Sequence, residues 1–352
     1  MKKIVFTGGG SAGHVTPNIA LINELQKEDW SISYIGSKAG IEKELIGKLD
    51  IPYYSISSGK LRRYVSKENI KDIFKVIKGC FDARKVLKKE KPDVVFSKGG
   101  FVSVPVVIAA NTLKIPVILH ESDLTPGLAN KLSVRFATKI FTSFEETLRY
   151  LPSEKAKAIG SPIRREILEG SATKGRDYLG FHNEKPVLTI MGGSLGAKKI
   201  NDIIRENLDT LLQTYQIVHL CGKGNVSNEH IRTGYKQFEY VHGELPDILA
   251  ATDYVVTRGG SNSIFEFLAL KIPMLIIPLT KQQSRGDQIL NGKVFSENGY
   301  AYMLEEESLT SEQLFKSLQK METNKLHLIE NMKKAQASDA LNEIVNEIKS
   351  HS

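Results

Sequence analysis

The chain has 352 residues, 41% hydrophobic and 25% charged, a soluble composition long enough for two domains that each bury a core. Its apolar runs, such as residues 104–110, are far too short to span a bilayer, and its two cysteines, Cys80 and Cys221, supply neither a disulfide framework nor a metal cluster. Charge is uneven: residues 1–160 carry 26 basic and 16 acidic side chains while residues 161–352 carry 22 and 24, so the first half is built to meet something anionic. Basic and aromatic residues are not interleaved and no nucleic-acid-binding motif is present, which excludes nucleic acid and leaves an anionic membrane surface.

Met1-Lys2-Lys3 runs straight into an apolar strand with no visible signal peptide, and with two cysteines and no disulfide framework a cytosolic chain is expected. The loop TGGGSAGH (residues 7–14) follows that strand and precedes an amphipathic helix over 19–25. Gly8, Gly10 and Gly13 have dinucleotide-loop spacing, but Ser33-Tyr34-Ile35-Gly36 stands where a ribose-binding acid would close the second strand, so NAD is not expected. His14 opens the following helix, whose dipole favours the neutral imidazole that a general base requires; a histidine merely hydrogen-bonded at a helix end is the other reading. Residues 57–64, SSGKLRRY, form a polar, basic loop suited to phosphate or to solvent. In residues 67–89, Ile70, Ile73, Phe74, Ile77 and Phe81 share one narrow helical stripe flanked by Lys67, Lys71, Lys75, Lys78 and Lys85. Such a helix either lies on an anionic membrane or turns the stripe inward against a sheet.

Three phrases recur in the same order: KKIVFTGGGSAGH (2–14) and KPVLTIMGGSLGA (185–197), PDVVFSKGG (92–100) and TDYVVTRGG (252–260), IPVILHES (115–122) and IPMLIIPL (272–279). The repetition predicts two halves of alternating strands and helices about parallel sheets, with the ligand cleft between them at the strand carboxyl ends. The turn-rich IGSPIRR (159–165) reads as the hinge, and Arg164 there suits a diphosphate or is an ordinary surface arginine beside a linker. In the second half, Ser194 follows Gly192-Gly193 at a helix start, as a phosphate contact or as an N-cap. Gly259-Gly260 predicts a tight turn into a helix capped by Ser261 or Asn262, its N-terminus facing an anion with Arg258 alongside. Glu266, a turn later, is placed to hold a ribose diol.

TGGGSAGH, SKGGFVSVP, HESDLTPGLANK, GSPIR, MGGSLGA, TRGGSNSIFE and the DQ of SRGDQILN together resemble the MurG family of N-acetylglucosamine transferases from residue 4 to about residue 300. The resemblance implies an α/β GT-B fold: an N-terminal acceptor and membrane-facing domain over 1–160, a UDP-sugar domain over 161–335, and a C-terminal helix from about 336 to 352 packed back on the first. It implies inverting transfer of N-acetylglucosamine from UDP to the 4-hydroxyl of undecaprenyl-pyrophosphoryl-MurNAc-pentapeptide, by an enzyme peripheral to the cytoplasmic membrane face and in contact with cell-wall synthesis proteins. On this resemblance His14 is the base; Ser11, Ala12, Gly13, Arg164, Ser194, Gly260, Ser261, Asn262, Glu266 and Gln288 hold the donor; and Gly9, Gly10, Gly99 and Gly100 hold the acceptor diphosphate. The family's H-E-Q-N reads His120-Glu121-Ser122-Asp123 here, so its asparagine contact does not carry over to Asp123. No D-x-D holds a metal, so neither metal nor cofactor is expected and leaving-group charge falls on helix N-termini and arginine. A UDP-N-acetylglucosamine 2-epimerase, another glycolipid transferase and a non-catalytic UDP-sugar sensor are the alternatives.

Overall fold

The computed structural model describes residues 1–59, 67–193, 196–335 and 339–351, with backbone alone for 67–71. The chain forms two compact units, Met1–Ile163 with Ser338–Ser352, and Arg164–Ala337. Contacts therefore divide the chain at 163/164, against 160/161 in the sequence reading.

In the first unit the strands are β1 (Lys2–Thr7), β2 (Trp30–Ser37), β3 (Tyr53–Ile56), β4 (Val94–Ser97), β5 (Val117–Glu121), β6 (Lys139–Thr142) and β7 (Ala156–Ala158). They form one parallel sheet in the order β3-β2-β1-β4-β5-β6-β7. Alternate side chains leave a strand on opposite faces, and both faces here are apolar. Ile4, Phe6, Tyr34, Val94 and Phe96 enter one core, while Val5, Ile35, Val95, Val117 and Leu119 enter the other.

The first core is closed by α1 (Thr16–Leu25) and by the C-terminal helix Ala340–Ser350. Asp339 caps that helix by accepting from the Asn342 N–H at 3.1 Å, and Leu341, Ile344, Val345 and Ile348 recur at helical spacing and are buried. Beyond β2 lies the short α2 (Ile41–Ile46). The second core is covered by α3 (Lys67–Glu90) and α4 (Ser103–Thr112), which pack on each other. After β5 comes α5 (Leu128–Ser133).

The face α3 turns inward carries Asp72, Gly79, Ala83 and Leu87. Gly79 admits close approach, because a Cβ there would stand 2.2 Å from the Ser57 carbonyl and 3.0 Å from the Pro105 ring. Ile73, Phe74, Ile77 and Phe81 are 50, 68, 48 and 70% exposed, so the stripe faces outward and the inward reading of it is overturned. Ile70 belongs to the backbone-only residues, so its side chain lies outside the description.

The second unit holds β8 (Val187–Met191), β9 (Gln216–Leu220), β10 (Tyr235–Phe238), β11 (Tyr254–Thr257), β12 (Met274–Ile276) and β13 (Ala301–Met303), parallel in the order β10-β9-β8-β11-β12-β13. Each sheet reverses its winding at one central pair, β1/β4 and β8/β11, and the loops beyond those strand ends are where doubly wound folds hold ligands. Among the described residues no helix is long and apolar enough to cross a membrane.

Candidate active site

The glycine loop after β1 is held from beneath by buried polar groups. The Asn18 amide donates to the Thr7 carbonyl at 3.2 Å and to the Tyr34 hydroxyl at 3.0 Å, and that hydroxyl donates to the Gly8 carbonyl at 2.8 Å. Gly10 takes φ +84°, a conformation that favours glycine. Ser11 then leads into a single tight turn, Ala12–His14, immediately before α1. Ser11 and Gly13 are exposed, and Ala12 and His14 half-buried.

His14 Nδ1 lies 3.0 Å from the Gly9 carbonyl oxygen and 3.1 Å from Ser11 Oγ. A carbonyl only accepts, so Nδ1 carries the proton of the neutral ring and Nε2 carries its basic lone pair.

The loop after β4 meets this one backbone to backbone. Gly99 and Gly100 both have positive φ, the Gly9 N–H donates to the Gly99 carbonyl at 3.3 Å, and a Cβ on Gly100 would stand 2.2 Å from the Gly9 carbonyl oxygen. The Gly10 N–H donates to Glu42 Oε2 at 3.1 Å. Two of the N–H groups that the sequence reading assigned to the acceptor diphosphate, on Gly9 and Gly10, thus have partners within the unit.

Beneath Gly99 the Lys98 side chain is fully buried, with its ammonium donating to Ser122 Oγ. Burial pushes the Lys98 pKa down to about 8, against the pull of Glu121 and Asp123. Its neighbour His120 donates from Nε2 to the Gly160 carbonyl at 3.2 Å, and burial together with the Lys98 charge holds that ring neutral. Glu121 organises the loop beyond β5 by accepting from the Asp123 and Gly127 N–H groups, both at 3.0 Å, and from Asn130 at 2.8 Å.

In the second unit Gly260 stands at the N-cap of the helix Ser261–Leu270, with extended backbone and no side-chain cap. Ser261 and Asn262 lie inside the first turn, so neither is the cap expected of it. A Cβ on Gly259 would stand 2.4 Å from the Gln288 carbonyl, and Asn291 donates to the Gly259 carbonyl at 3.1 Å, which ties this turn to the helix Asp287–Glu297. Gln288 accepts at Oε1 from the Leu279 N–H at 3.1 Å.

Arg164 and Glu266 meet as an ion pair, Nη2 to Oε1 at 3.1 Å. Burial raises the Glu266 pKa, and Arg164 opposes that rise. Arg258, expected beside an anion, is buried and has partners within the unit. Its guanidinium donates to the Ile277 and Pro278 carbonyls and pairs with the buried Glu306, so it ties β11 to the end of β12. Ser194 lies outside the described residues; Gly193 and Gly196 on either side have positive φ. Among the described residues no group of three or more His, Cys, Asp or Glu side chains is arranged to hold a metal ion.

Sequence reasoning placed Lys98 with Gly99-Gly100 at the acceptor diphosphate but missed Glu42 and the pairing of Arg258 with Glu306. The two acids lie 32 and 48 residues from their partners, with nothing in the pattern to join them.

Residues 4–142 match the glycosyltransferase family 28 N-terminal domain and residues 187–348 its C-terminal domain. The chain is 62% identical over 342 residues, 97% of each chain, to the UDP-N-acetylglucosamine–N-acetylmuramyl-(pentapeptide) pyrophosphoryl-undecaprenol N-acetylglucosamine transferase of Shouchella clausii. It is 58% identical over 340 residues, 96% of each chain, to the protein of that name from Staphylococcus aureus. Among solved structures it resembles Acinetobacter baumannii MurG, with TM-score 0.79 and 24% identity over 99% of this chain and 100% of that one. It also resembles a UDP-GlcNAc 2-epimerase from Neisseria meningitidis, with TM-score 0.67 and 15% identity over 99% and 100%. At these identities the structural likeness is one of fold.

Proposed function

We propose where this chain holds each substrate and how the sugar moves, from the premise that it belongs to glycosyltransferase family 28. It is a GT-B hexosyltransferase that moves N-acetylglucosamine from UDP to N-acetylmuramyl-(pentapeptide) pyrophosphoryl-undecaprenol, giving the lipid-linked disaccharide of peptidoglycan synthesis. The observation that carries this is the 62% identity over 97% of both chains. The epimerase shares only the fold.

In the proposed reaction His14 Nε2 takes the proton of the muramyl 4-hydroxyl as that oxygen attacks the anomeric carbon. The bond to UDP breaks with its electron pair on the diphosphate. Supporting His14 is the Gly9 carbonyl, which sets the tautomer a base at Nε2 needs. Leaving-group charge falls on Arg164 and on the N-terminal N–H groups of Ser261–Leu270, with no metal between. Glu266 accepts from the ribose diol with the oxygen that Arg164 does not occupy, and Gln288 meets sugar hydroxyls through its amide. The acceptor diphosphate lies against Gly99-Gly100 with the Lys98 ammonium beneath it. The outward stripe of α3 rests the first unit on the cytoplasmic face of the membrane, where the lipid acceptor is held.

Labelled UDP-N-acetylglucosamine and the lipid-linked muramyl acceptor should yield a labelled lipid-linked disaccharide; free sugar or its 2-epimer instead would overturn the assignment. His14→Ala should lower kcat by about 10²–10⁴-fold with donor affinity kept, and chelator should leave the wild type active. Chelator inhibition relieved by a divalent cation would reject the metal-free step.

A further inference from the structure

The buried carboxylate of Glu42 has no place in the reaction as derived so far, yet it sits one peptide away from the base. Glu42 comes from the first turn of α2 and is fully buried. Its carboxylate accepts from the Ser37 N–H at 3.0 Å, from the Ser37 hydroxyl, and from the Gly10 N–H at 3.1 Å. Burial alone would raise its pKa, but these hydrogen bonds outweigh it and hold the pKa below the usual carboxylate value, so the group is anionic at neutral pH. Space for it is cut out of three glycines. A Cβ on Gly9 or Gly40 would stand 2.5 or 2.2 Å from the carboxylate, and one on Gly36 would stand 3.0 Å from Glu42 Cγ.

The Gly10 N–H that donates to Glu42 and the Gly9 C=O that accepts from His14 belong to the same peptide group. In a planar trans peptide these two bonds point in opposite directions. Glu42 is therefore on one edge of the Gly9–Gly10 peptide and His14 on the other. An anion accepting from the N–H draws positive charge to that end and leaves the carbonyl oxygen a stronger acceptor, since hydrogen bonds in a chain polarise one another. The stronger acceptor favours the proton on Nδ1 and stabilises the imidazolium that forms when Nε2 takes a proton.

From this geometry we infer that Glu42 is the positioning acid for His14, acting through the Gly9–Gly10 peptide to set the ring's tautomer and raise its basicity. The inference rests on the reading of His14 as base. It also gives the first glycine loop a role distinct from phosphate binding: Gly9 and Gly10 transmit the charge of Glu42, and glycine is required at position 9 because a side chain would collide with the carboxylate.

The test uses the full chain with ¹⁵N-labelled histidine, the His14 signals being identified by their loss in His14→Gln. In the wild type the neutral ring should carry its proton on Nδ1, and in Glu42→Gln the Nε2–H form should appear alongside it. Glu42→Gln should also lower kcat by about 10–100-fold, by analogy with carboxylates that orient metal-bound histidines, with donor KM unchanged. In a His14→Ala background the same substitution should cost nothing further. A wild-type ring protonated on Nε2 would overturn the inference whether or not the variant folds. An unchanged kcat in Glu42→Gln, or an equal loss with and without His14, would overturn it too. Full turnover in His14→Ala would instead remove the base assignment, while the tautomer spectrum would still decide whether Glu42 acts on the ring.

Discussion

Replacing Ile73 and Phe74 of α3 with serine tests the proposed membrane face, because the structure makes opposite demands on binding and on stability. These side chains are 50 and 68% exposed. Fully burying such a side chain is worth about 1.5–3 kcal/mol, so the half to two thirds still open leaves about 1–2 kcal/mol for each to gain by entering a bilayer. The pair then accounts for about 2–4 kcal/mol, or about 30- to 1000-fold in partitioning. Lys75, Lys78 and Lys85 are exposed along the flank of the stripe, each adding about 1 kcal/mol near an anionic surface, screened by salt beyond about 8–10 Å. Sedimentation with phosphatidylglycerol vesicles should show binding that falls with salt without vanishing, and the double serine variant should lose most of the salt-resistant part. Its melting temperature should match the wild type, since the face that holds α3 is Gly79, Ala83 and Leu87. Full vesicle binding at unchanged melting temperature would refute the membrane face. A collapsed melting temperature would refute the outward placement of the stripe.

Glu266→Ala should raise the donor KM by about 5- to 150-fold, corresponding to about 1–3 kcal/mol for a lost charged hydrogen bond, and an unchanged donor KM would reject the ribose contact. Lys98→Met should stabilise the first unit at pH 7 by up to about 3 kcal/mol, because the folded chain binds the lysine proton less tightly than the unfolded chain does. The wild type should gain stability as pH rises from about 8 towards 10.5, so the advantage of the variant should fade over that window; a pH-independent difference in urea midpoints would contradict this. Ile344→Ala should cost the first unit about 2–5 kcal/mol, the usual penalty for emptying a packed core site. Trp30, the single tryptophan, lies in the same core and reports that loss by fluorescence during urea unfolding; an unchanged midpoint would show that the C-terminal helix contributes little.

The parallel two-sheet plan was legible because it is written in local pattern. Runs such as Val94-Val95-Phe96 are apolar at every position, which suits only strands covered on both faces, and the three repeated phrases place equivalent loops at equivalent strand ends. Periodicity also found the α3 stripe but not its direction. That helix has two candidate faces, and the one that packs is marked by glycine and alanine, which carry little hydrophobic signal yet allow the closest approach. The candidate site was legible where one loop contains the chemistry, as with His14 or Gly260, and illegible where partners come from distant segments. Arg258 reads from sequence as an anion contact; only the folded chain brings Glu306 and the carbonyls of Ile277 and Pro278 to it, because a buried guanidinium must find acceptors wherever the chain supplies them. Glu42 follows the same rule. No sequence pattern singles out this acid, and tertiary structure carries it to the glycine loop, where the absence of three side chains leaves room for a charge.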